Sequence, residues 1–224
     1  IHALARENFR RIGENFASAV KTASMTLEEL SRHVELVGAD KIMSSPADAQ
    51  SRSRIVAIGH FGNFELHTFI GRRLSQFTPA TTYRGLKHRS LSRLMQSLRT
   101  QSGCRFFERR TESDALRAAL NTDSLLLGLL ADQHAGNGGL RLPFLGQECS
   151  TTSAPALLAL RYRCPLYTAI CYRVELGRWR IEMGDEIPTC ENGRARSVAA
   201  ITLEINQAFE AAVKVSSMDA LLWR

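Results

Sequence analysis

The feature that most constrains the fold is the alternation of short apolar runs with segments of helical periodicity. Residues 54–59 (RIVAIG) and 124–131 (SLLLGLLA) are nearly uninterrupted apolar runs, as expected for strands buried on both faces. Weaker strand patterns lie at residues 81–84, 105–107, 166–173 and 179–183. Helical patterns separate them, at residues 91–98, 113–120, 154–162 and 198–213 and in a segment beginning at Asn63. We therefore predict an α/β fold with a mixed, mostly parallel central sheet flanked by helices.

The first 53 residues show helical patterns. Over residues 1–22, one helical face carries Leu4, Phe9, Ile12, Phe16 and Val20. Thr26 and Glu29 have the spacing of a capping box. The helix that they start is expected to run to Gly38, with the apolar stripe Leu27, Leu30, Val34 and Val37. We predict a helical lead-in, forming a subdomain or lid, before an α/β core over residues 54–224. Since no repeat or linker interrupts residues 1–224, they are expected to form one domain.

The composition is that of a globular protein, with 44% hydrophobic and 23% charged residues. No apolar run approaches the roughly 18 to 20 residues that a membrane-spanning helix needs, and no signal peptide opens the chain. Because the sequence begins at Ile1 and stops at Trp223-Arg224, we expect it to be truncated at both ends, which leaves room for a membrane anchor upstream. The five cysteines form no CxxC pair or zinc-spaced cluster, which predicts a reducing compartment and no structural metal.

The basic residues indicate either a solvated basic surface or an anionic partner. The net charge is +7, and only 4 of the 29 basic residues are lysines. Arginine suits bidentate contact with phosphate, either in lipid headgroups or in nucleic acid. Few aromatic residues and no recognised nucleic-acid motif count against nucleic acid, so an anionic membrane surface is the favoured partner.

The sequence GHFGNFE directly after the first strand run carries the strongest candidate chemistry. His60 would lie beyond the carboxyl end of a strand, where open α/β sheets bind ligands. Glu65 is expected to reach back to one ring nitrogen and orient His60 as a general base. Gly62 would let the backbone approach a substrate closely, and free amides near Asn63 would hold an oxyanion.

Two further charged residues end strand patterns at the same expected edge of the sheet. Arg84 closes ATTYRG and Asp132 closes the run in LLADQHAG. Arg84 is expected either to hold a substrate phosphate or to pair with Asp132, with the paired role slightly favoured. His134 is a second candidate acid or base. No GxSxG nucleophile elbow is present, which favours direct attack by a substrate hydroxyl over an acyl-enzyme.

Taken in order along the chain, these segments resemble one enzyme family. GHFGNFE resembles the His-x4-Asp/Glu motif of the glycerolipid acyltransferase superfamily. Within it, the bacterial lipid A biosynthesis late acyltransferases (lauroyl and myristoyl acyltransferases) are the similar branch. The segments that carry this second resemblance are ALARENFRRIGENFAS, ELSRHVELVGADKI, TYRG, LLADQHAGNGGLRLPFLG and TTSAPALLALRY.

The resemblance implies an enzyme at the cytoplasmic face of the bacterial inner membrane. It implies an acyl carrier protein thioester as donor and, as acceptor, a hydroxyl on an acyl chain of a phosphorylated glucosamine disaccharide. No cofactor is implied. His60 is carried over as the general base and Glu65 as its partner. The residues assigned to substrate binding or site architecture are Arg84, Asp132, Gly62 and Asn63.

Two other functions stay open at this point. The first is the same chemistry on another membrane glycolipid, such as a phosphoinositide mannoside or an ornithine lipid, with acyl-CoA as donor. The second is a non-catalytic, arginine-rich module that binds anionic lipid or nucleic acid. Thioester turnover separates the enzymes from the binding module, and acceptor screening separates the two enzymes.

Overall fold

A computed structural model describes residues 2–43, 53–85 and 88–219. The helices of this part of the chain are α1 (His2–Thr22), α2 (Leu27–Ser31), α3 (Ala39–Met43), α4 (Leu66–Ile70), α5 (Arg89–Thr100), α6 (Ser113–Thr122), α7 (Ala154–Tyr162) and α8 (Val198–Val215). The strands are β1 (Val34–Val37), β2 (Arg54–Ile58), β3 (Thr78–Tyr83), β4 (Arg105–Glu108), β5 (Leu125–Leu130), β6 (Leu140–Phe144), β7 (Gln147–Thr151), β8 (Leu166–Glu175), β9 (Arg178–Met183), β10 (Cys190–Glu191) and β11 (Arg194–Ala195).

A seven-stranded sheet forms the centre of the molecule, in the order β1-β9-β8-β2-β5-β3-β4. Strand β2 is parallel to both of its neighbours, β5 and β8, and β3 and β4 continue the parallel arrangement. Only the β8–β9 pair is antiparallel within this sheet, so β9 and β1 run opposite to the rest. The predicted mixed, mostly parallel α/β fold is confirmed.

The central strands are apolar because helices cover both of their faces. Every residue of β2 is buried, and β5 is buried up to Leu129. One core layer packs α6, α7 and α8 against the sheet and includes Phe209. The layer on the opposite face includes Leu66 of α4 and Trp179 of β9. Each such fully buried apolar side chain contributes about 1.5 to 3 kcal/mol to folding, which holds the central strand ends in a fixed frame.

The lead-in is less helical than its sequence predicts. Helix α1 and the capping box of Thr26 and Glu29 are confirmed, but α2 ends at Ser31. Val34–Val37 forms strand β1, parallel to β9, instead of a second helical turn, and Gly38 ends that strand with φ +74°. Residues Val34 to Val37 pair in register with Trp179 to Glu182 of β9, which would be an edge strand without them, and β-branched valines favour the extended conformation.

Helix α1 is attached to the rest of the fold by two ion pairs. Arg11 lies 2.5 Å from Asp219, and Glu14 lies 2.7 Å from Arg173, with all four side chains largely buried. These two pairs attach α1 to the segment after α8 and to strand β8. None of the described helices is long and apolar enough to cross a membrane. Ile1, residues 44–52 of the lead-in and the terminal Trp223-Arg224 lie outside the described residues.

Two later elements also differ from the sequence prediction. The helix expected from Asn63 begins at Leu66, because Gly62 and Asn63 form a turn. The segment after β5, where the sequence showed no strand pattern, contains the β6–β7 hairpin. Its two turn residues, Leu145 and Gly146, both have positive φ, as a tight hairpin turn requires.

Candidate active site

The sheet topology brings His60 and Asp132 together. Strands β2 and β5 are parallel neighbours with Ile58 opposite Leu130. His60 and Asp132 each follow two residues after these paired positions, so both emerge at the same level of the same sheet edge. Oδ1 of Asp132 lies 2.6 Å from Nδ1 of the His60 ring, and its Oδ2 accepts a hydrogen bond of 2.7 Å from the His60 backbone N–H.

This contact fixes the chemistry that His60 offers. A carboxylate only accepts hydrogen bonds, so Nδ1 carries the proton and Nε2 of the neutral ring is unprotonated. Asp132 is fully buried, whereas the His60 side chain keeps 12% of its surface exposed. The ring also meets the edge of the Phe64 ring, with centroids 4.8 Å apart. This arrangement leaves Nε2 of a neutral His60 ring able to accept a proton.

Glu65 is not the partner of the His60 ring. No hydrogen bond joins the two residues, and the expected position at Nδ1 is taken by Asp132. Glu65 instead accepts from Arg99 of α5, at 2.6 Å from Nη2 and 3.3 Å from Nε. Helix α4 begins only at Leu66, after the bend at Gly62, and Glu65 lies opposite Arg99 of α5.

Arg99 is the residue that sequence reasoning missed. Its side chain is 22% exposed, and its guanidinium pairs with Glu65 and lies over the Phe106 ring at 5.5 Å. It lines the same cleft as His60, together with Ser92, Met95 and Gln96. These α5 residues are spaced i, i+3, i+4 and i+7, so they lie on one face of the helix. That shared, mostly polar face was the signal in the sequence that could have pointed to Arg99.

Gly62 and Asn63 shape the loop that carries His60. Gly62 has φ +48°, and a Cβ there would lie 2.5 Å from the carbonyl oxygen of Cys171. Its close backbone approach is thus to β8, and its N–H donates to the Asp219 carbonyl at 3.1 Å. The Asn63 side chain is buried and donates to Thr22 of α1 at 3.2 Å. These contacts position the loop, and the predicted contacts of both residues with substrate stay a prediction.

Arg84 does not pair with Asp132, contrary to the role favoured from the sequence. No carboxylate of the described residues lies within 4 Å of its guanidinium, because Asp132 is directed toward His60. Arg84 directly follows β3 and is exposed at the same sheet edge as His60. Arg109, which directly follows β4, lies beside it.

A polar cleft and two apolar cavities meet around these residues. The polar cleft is lined by His60, His134 and three arginines, Arg84, Arg99 and Arg109. One apolar cavity lies under α1 and is called the α1 cavity; it is lined by Ile12, Phe16, Ala19, Val20, Phe64, Phe69 and Met95, among others. The second lies against β3 and β5 and is called the sheet cavity.

Arg99 borders all three spaces, and Glu65 and Phe64 border both apolar cavities. A basic, polar opening lined by His60 thus lies next to apolar space. Such a combination suits a ligand with a hydrocarbon chain and a polar, anionic part.

Comparison with known families agrees with this geometry. Residues 2–219 match the family model described as bacterial lipid A biosynthesis acyltransferase. The chain belongs to this family. It is an acyltransferase of lipid A, and hence lipopolysaccharide, biosynthesis, as the resemblance implied. No curated protein sequence matches the chain significantly.

The cysteine at the acyltransferase site is poorly suited to act as a nucleophile. Cys104 borders the sheet cavity, where burial raises the pKa of its thiol to about 12, with Glu65 adding to the effect. A thiol with that pKa stays protonated at neutral pH. Among residues 2–43, 53–85 and 88–219, no three His, Cys, Asp or Glu side chains are grouped so as to hold a metal ion.

Proposed function

We propose that this acyltransferase moves a fatty acyl chain from an acyl carrier protein thioester to a hydroxyl of a lipid A precursor, with His60 as general base. The observation that carries the proposal is the His60–Asp132 pair beside a polar cleft that shares Arg99 with two apolar cavities. A base held through Nδ1 is the arrangement that activates a hydroxyl for acyl transfer.

In the proposed step, Nε2 of His60 takes the proton of the acceptor hydroxyl as its oxygen attacks the thioester carbonyl. Asp132 stabilises the imidazolium that forms. The tetrahedral intermediate then collapses, the C–S bond breaks, and the imidazolium returns the proton to the leaving thiolate. The products are an ester and a free thiol, so no proton or electron is left unaccounted for.

Arg99 is the proposed stabiliser of the charge that develops on the carbonyl oxygen. Glu65 holds its Nε and Nη2, which leaves Nη1 without a hydrogen bond to any described residue. The backbone N–H groups of Asn63 and Phe64 likewise donate to no described residue, so they are further candidate donors to the oxyanion. Hydrogen-bond donors that are already in position stabilise a developing negative charge most strongly where water is excluded.

The α1 cavity is the proposed site of the donor acyl chain. Phe64 links it to the His60 ring, and Phe16 and Val20 of α1 form its exposed margin. Phe61, which directly follows His60 in the sequence, is instead fully buried in the core. The exposed Phe9 and Phe16 of α1 support residence at a membrane surface, which we propose is the cytoplasmic face of the inner membrane.

The test is acyl transfer by purified protein from labelled acyl carrier protein thioester to a phosphorylated glucosamine disaccharide lipid, with mass spectrometry of the product. His60→Ala should lower turnover by about 100-fold or more, while His134→Ala, which changes another histidine of the polar cleft, should stay close to wild type. The reverse pattern would make His134 the base. Near-wild-type turnover in both variants would rule out either histidine as the general base.

The same assay distinguishes the other functions. A wild-type protein that uses acyl-CoA and prefers a different glycolipid would keep the chemistry but change the substrates. A protein that binds anionic lipid without turning over any thioester would be a binding module, and the proposal would fail.

A further inference from the structure

We propose that Arg84 and Arg109 together bind a phosphoryl group of one of the two substrates. The inference rests on the proposed function for the identity of those substrates, but the anion site itself is argued from the positions and charges of the two side chains. Arg109 carries no role in the mechanism above.

The sheet register places the two arginines side by side. Strands β3 and β4 are parallel, with Tyr83 opposite Glu108 at their last paired positions. Arg84 and Arg109 are the next residues of the two strands, and the Arg109 N–H donates to the Tyr83 carbonyl at 3.0 Å. Nε of Arg109 also donates to the Thr82 hydroxyl at 3.1 Å, which fixes the direction of its side chain.

The charges of this arginine pair are not compensated by the protein. No carboxylate of the described residues lies within 4 Å of either guanidinium. Glu108, the acid next to Arg109, binds the backbone N–H groups of Arg110 and Thr111 with its Oε2. Partial burial and the positive charge of Arg84 both lower the pKa of Arg109. Two cations held close together without a counterion gain stability when an anion joins them.

The surroundings favour a phosphoryl group. The polar cleft contains Arg84, Arg99 and Arg109 but, among its described lining residues, no aspartate or glutamate. Arg99 is already paired with Glu65, so the uncompensated charge is that of Arg84 and Arg109. Planar guanidinium groups bind phosphate oxygens through paired hydrogen bonds, and two of them match a group with several oxygens.

Two substrates could supply that group under the proposed function. The donor thioester is carried on a phosphopantetheine arm, and the acceptor sugar is phosphorylated. His60 lines the same cleft. Binding of either phosphoryl group to the two arginines would therefore anchor its substrate with the reacting atoms near Nε2 of His60. The bound chemistry is the same in both cases, so separate probes are needed to identify the source.

The experiment titrates the full chain with phosphopantetheine, glucosamine 1-phosphate and inorganic phosphate, followed by phosphorus NMR. Arg84→Gln and Arg109→Gln should each weaken binding of at least one organic phosphate by roughly 10-fold or more. Arg110→Gln is the matched control, because it removes the same charge from an adjacent exposed arginine that does not line the cleft. The probe with the larger arginine-dependent loss identifies the source.

Binding that weakens equally in all three variants, or no binding of any probe, would overturn the phosphoryl site. Kinetic measurements then distinguish failure of the phosphoryl site from failure of the proposed function. If acyl transfer depends on His60 but Arg84→Gln and Arg109→Gln leave the KM of both substrates unchanged, the function stands and the phosphoryl site falls. If phosphate binding depends on the two arginines but no thioester is turned over, the site stands and the proposed function falls.

Discussion

The carboxylate of Asp132 binds His60 twice, through the ring Nδ1 at 2.6 Å and through the backbone N–H at 2.7 Å. The same side chain therefore sets both the orientation of the imidazole and the position of the loop that carries it. Because Asp132 lies at the end of β5 and His60 just after β2, the geometry depends on the pairing of two rigid central strands.

Replacing Asp132 by asparagine should lower kcat by about 100-fold to 10,000-fold. The amide can donate to Nδ1 and so stabilise the wrong tautomer, and it no longer balances the imidazolium. Asp123→Asn, which changes a partly exposed carboxylate between α6 and β5 that pairs with Arg105, is the matched control and should leave kcat close to wild type. Steady-state kinetics with circular dichroism would check both variants. An unchanged kcat in folded Asp132→Asn protein would contradict the assigned role.

Glu65 and Arg99 should behave as one functional unit. Glu65→Gln and Arg99→Gln are each expected to reduce kcat by about 10-fold to 1,000-fold, since Arg99 then loses its position or its charge. The double variant should be little worse than either single variant, as residues that act together are strongly non-additive. The exposed pair Arg105 and Asp123 supplies the control cycle, with little effect expected. Multiplicative losses for Glu65 and Arg99 would show independent roles.

The strands and helices of the core were predictable because their patterns are local. The apolar run at residues 124–131 becomes β5, and the periodic segment at 198–213 becomes α8. Strand β1 was not predictable in this way, because Leu27, Leu30, Val34 and Val37 satisfy helical spacing equally well. Its conformation is decided by pairing with β9, which lies far away in the sequence.

The site, like the fold, depends partly on local sequence patterns and partly on contacts between segments that are far apart in the sequence. The position of His60 after a buried strand was enough to place it at the ligand-binding edge. The partner of its ring depends on which strand lies beside β2 and on the turn at Gly62, and neither is encoded in the spacing of His60 and Glu65. Arg99 and Arg109 enter the site only through the packing of α5 and β4.

Gly62→Ala should destabilise the protein more than an equivalent change at an open turn. Gly177 has φ +75° and a Cβ added there would meet no atom within 4 Å, whereas a Cβ on Gly62 would lie 2.5 Å from the Cys171 carbonyl oxygen. Gly177→Ala should cost about 1 to 2 kcal/mol, for the left-handed backbone alone. Gly62→Ala should exceed that cost and also lower activity, because the loop bearing His60 must shift. Equal unfolding free energies for the two variants would show that the loop adapts freely.

The exposed apolar face of α1 should contribute to membrane binding. Phe9 and Phe16 lie two turns apart and are 73% and 61% exposed. Phe9→Ser with Phe16→Ser should weaken co-sedimentation with anionic vesicles, and added salt should weaken it further by screening the basic surface. Leu157→Ser, on the exposed side of α7, is the control for loss of a surface apolar group. If only salt alters binding, the attachment is electrostatic and α1 does not insert.

His67 should make the protein sensitive to mild acid. Burial lowers the pKa of its ring from 6.5 to about 4, and its Nε2 has no hydrogen-bond partner among the described residues. The unfolded chain takes up a proton near pH 6.5, whereas the native ring resists protonation until about pH 4. Stability should therefore fall as the pH is lowered through that interval, by up to about 3 kcal/mol from this residue.

The measurement is the free energy of unfolding by urea at several pH values between 7 and 4. His67→Leu should flatten the acid slope, because the buried ring that excludes a proton is gone, even if the variant is less stable at pH 7. His134→Leu changes an exposed histidine and should keep the wild-type slope. If His67→Leu and wild type lose stability in parallel as the pH falls, the acid sensitivity comes from other groups and the buried neutral state of His67 is wrong.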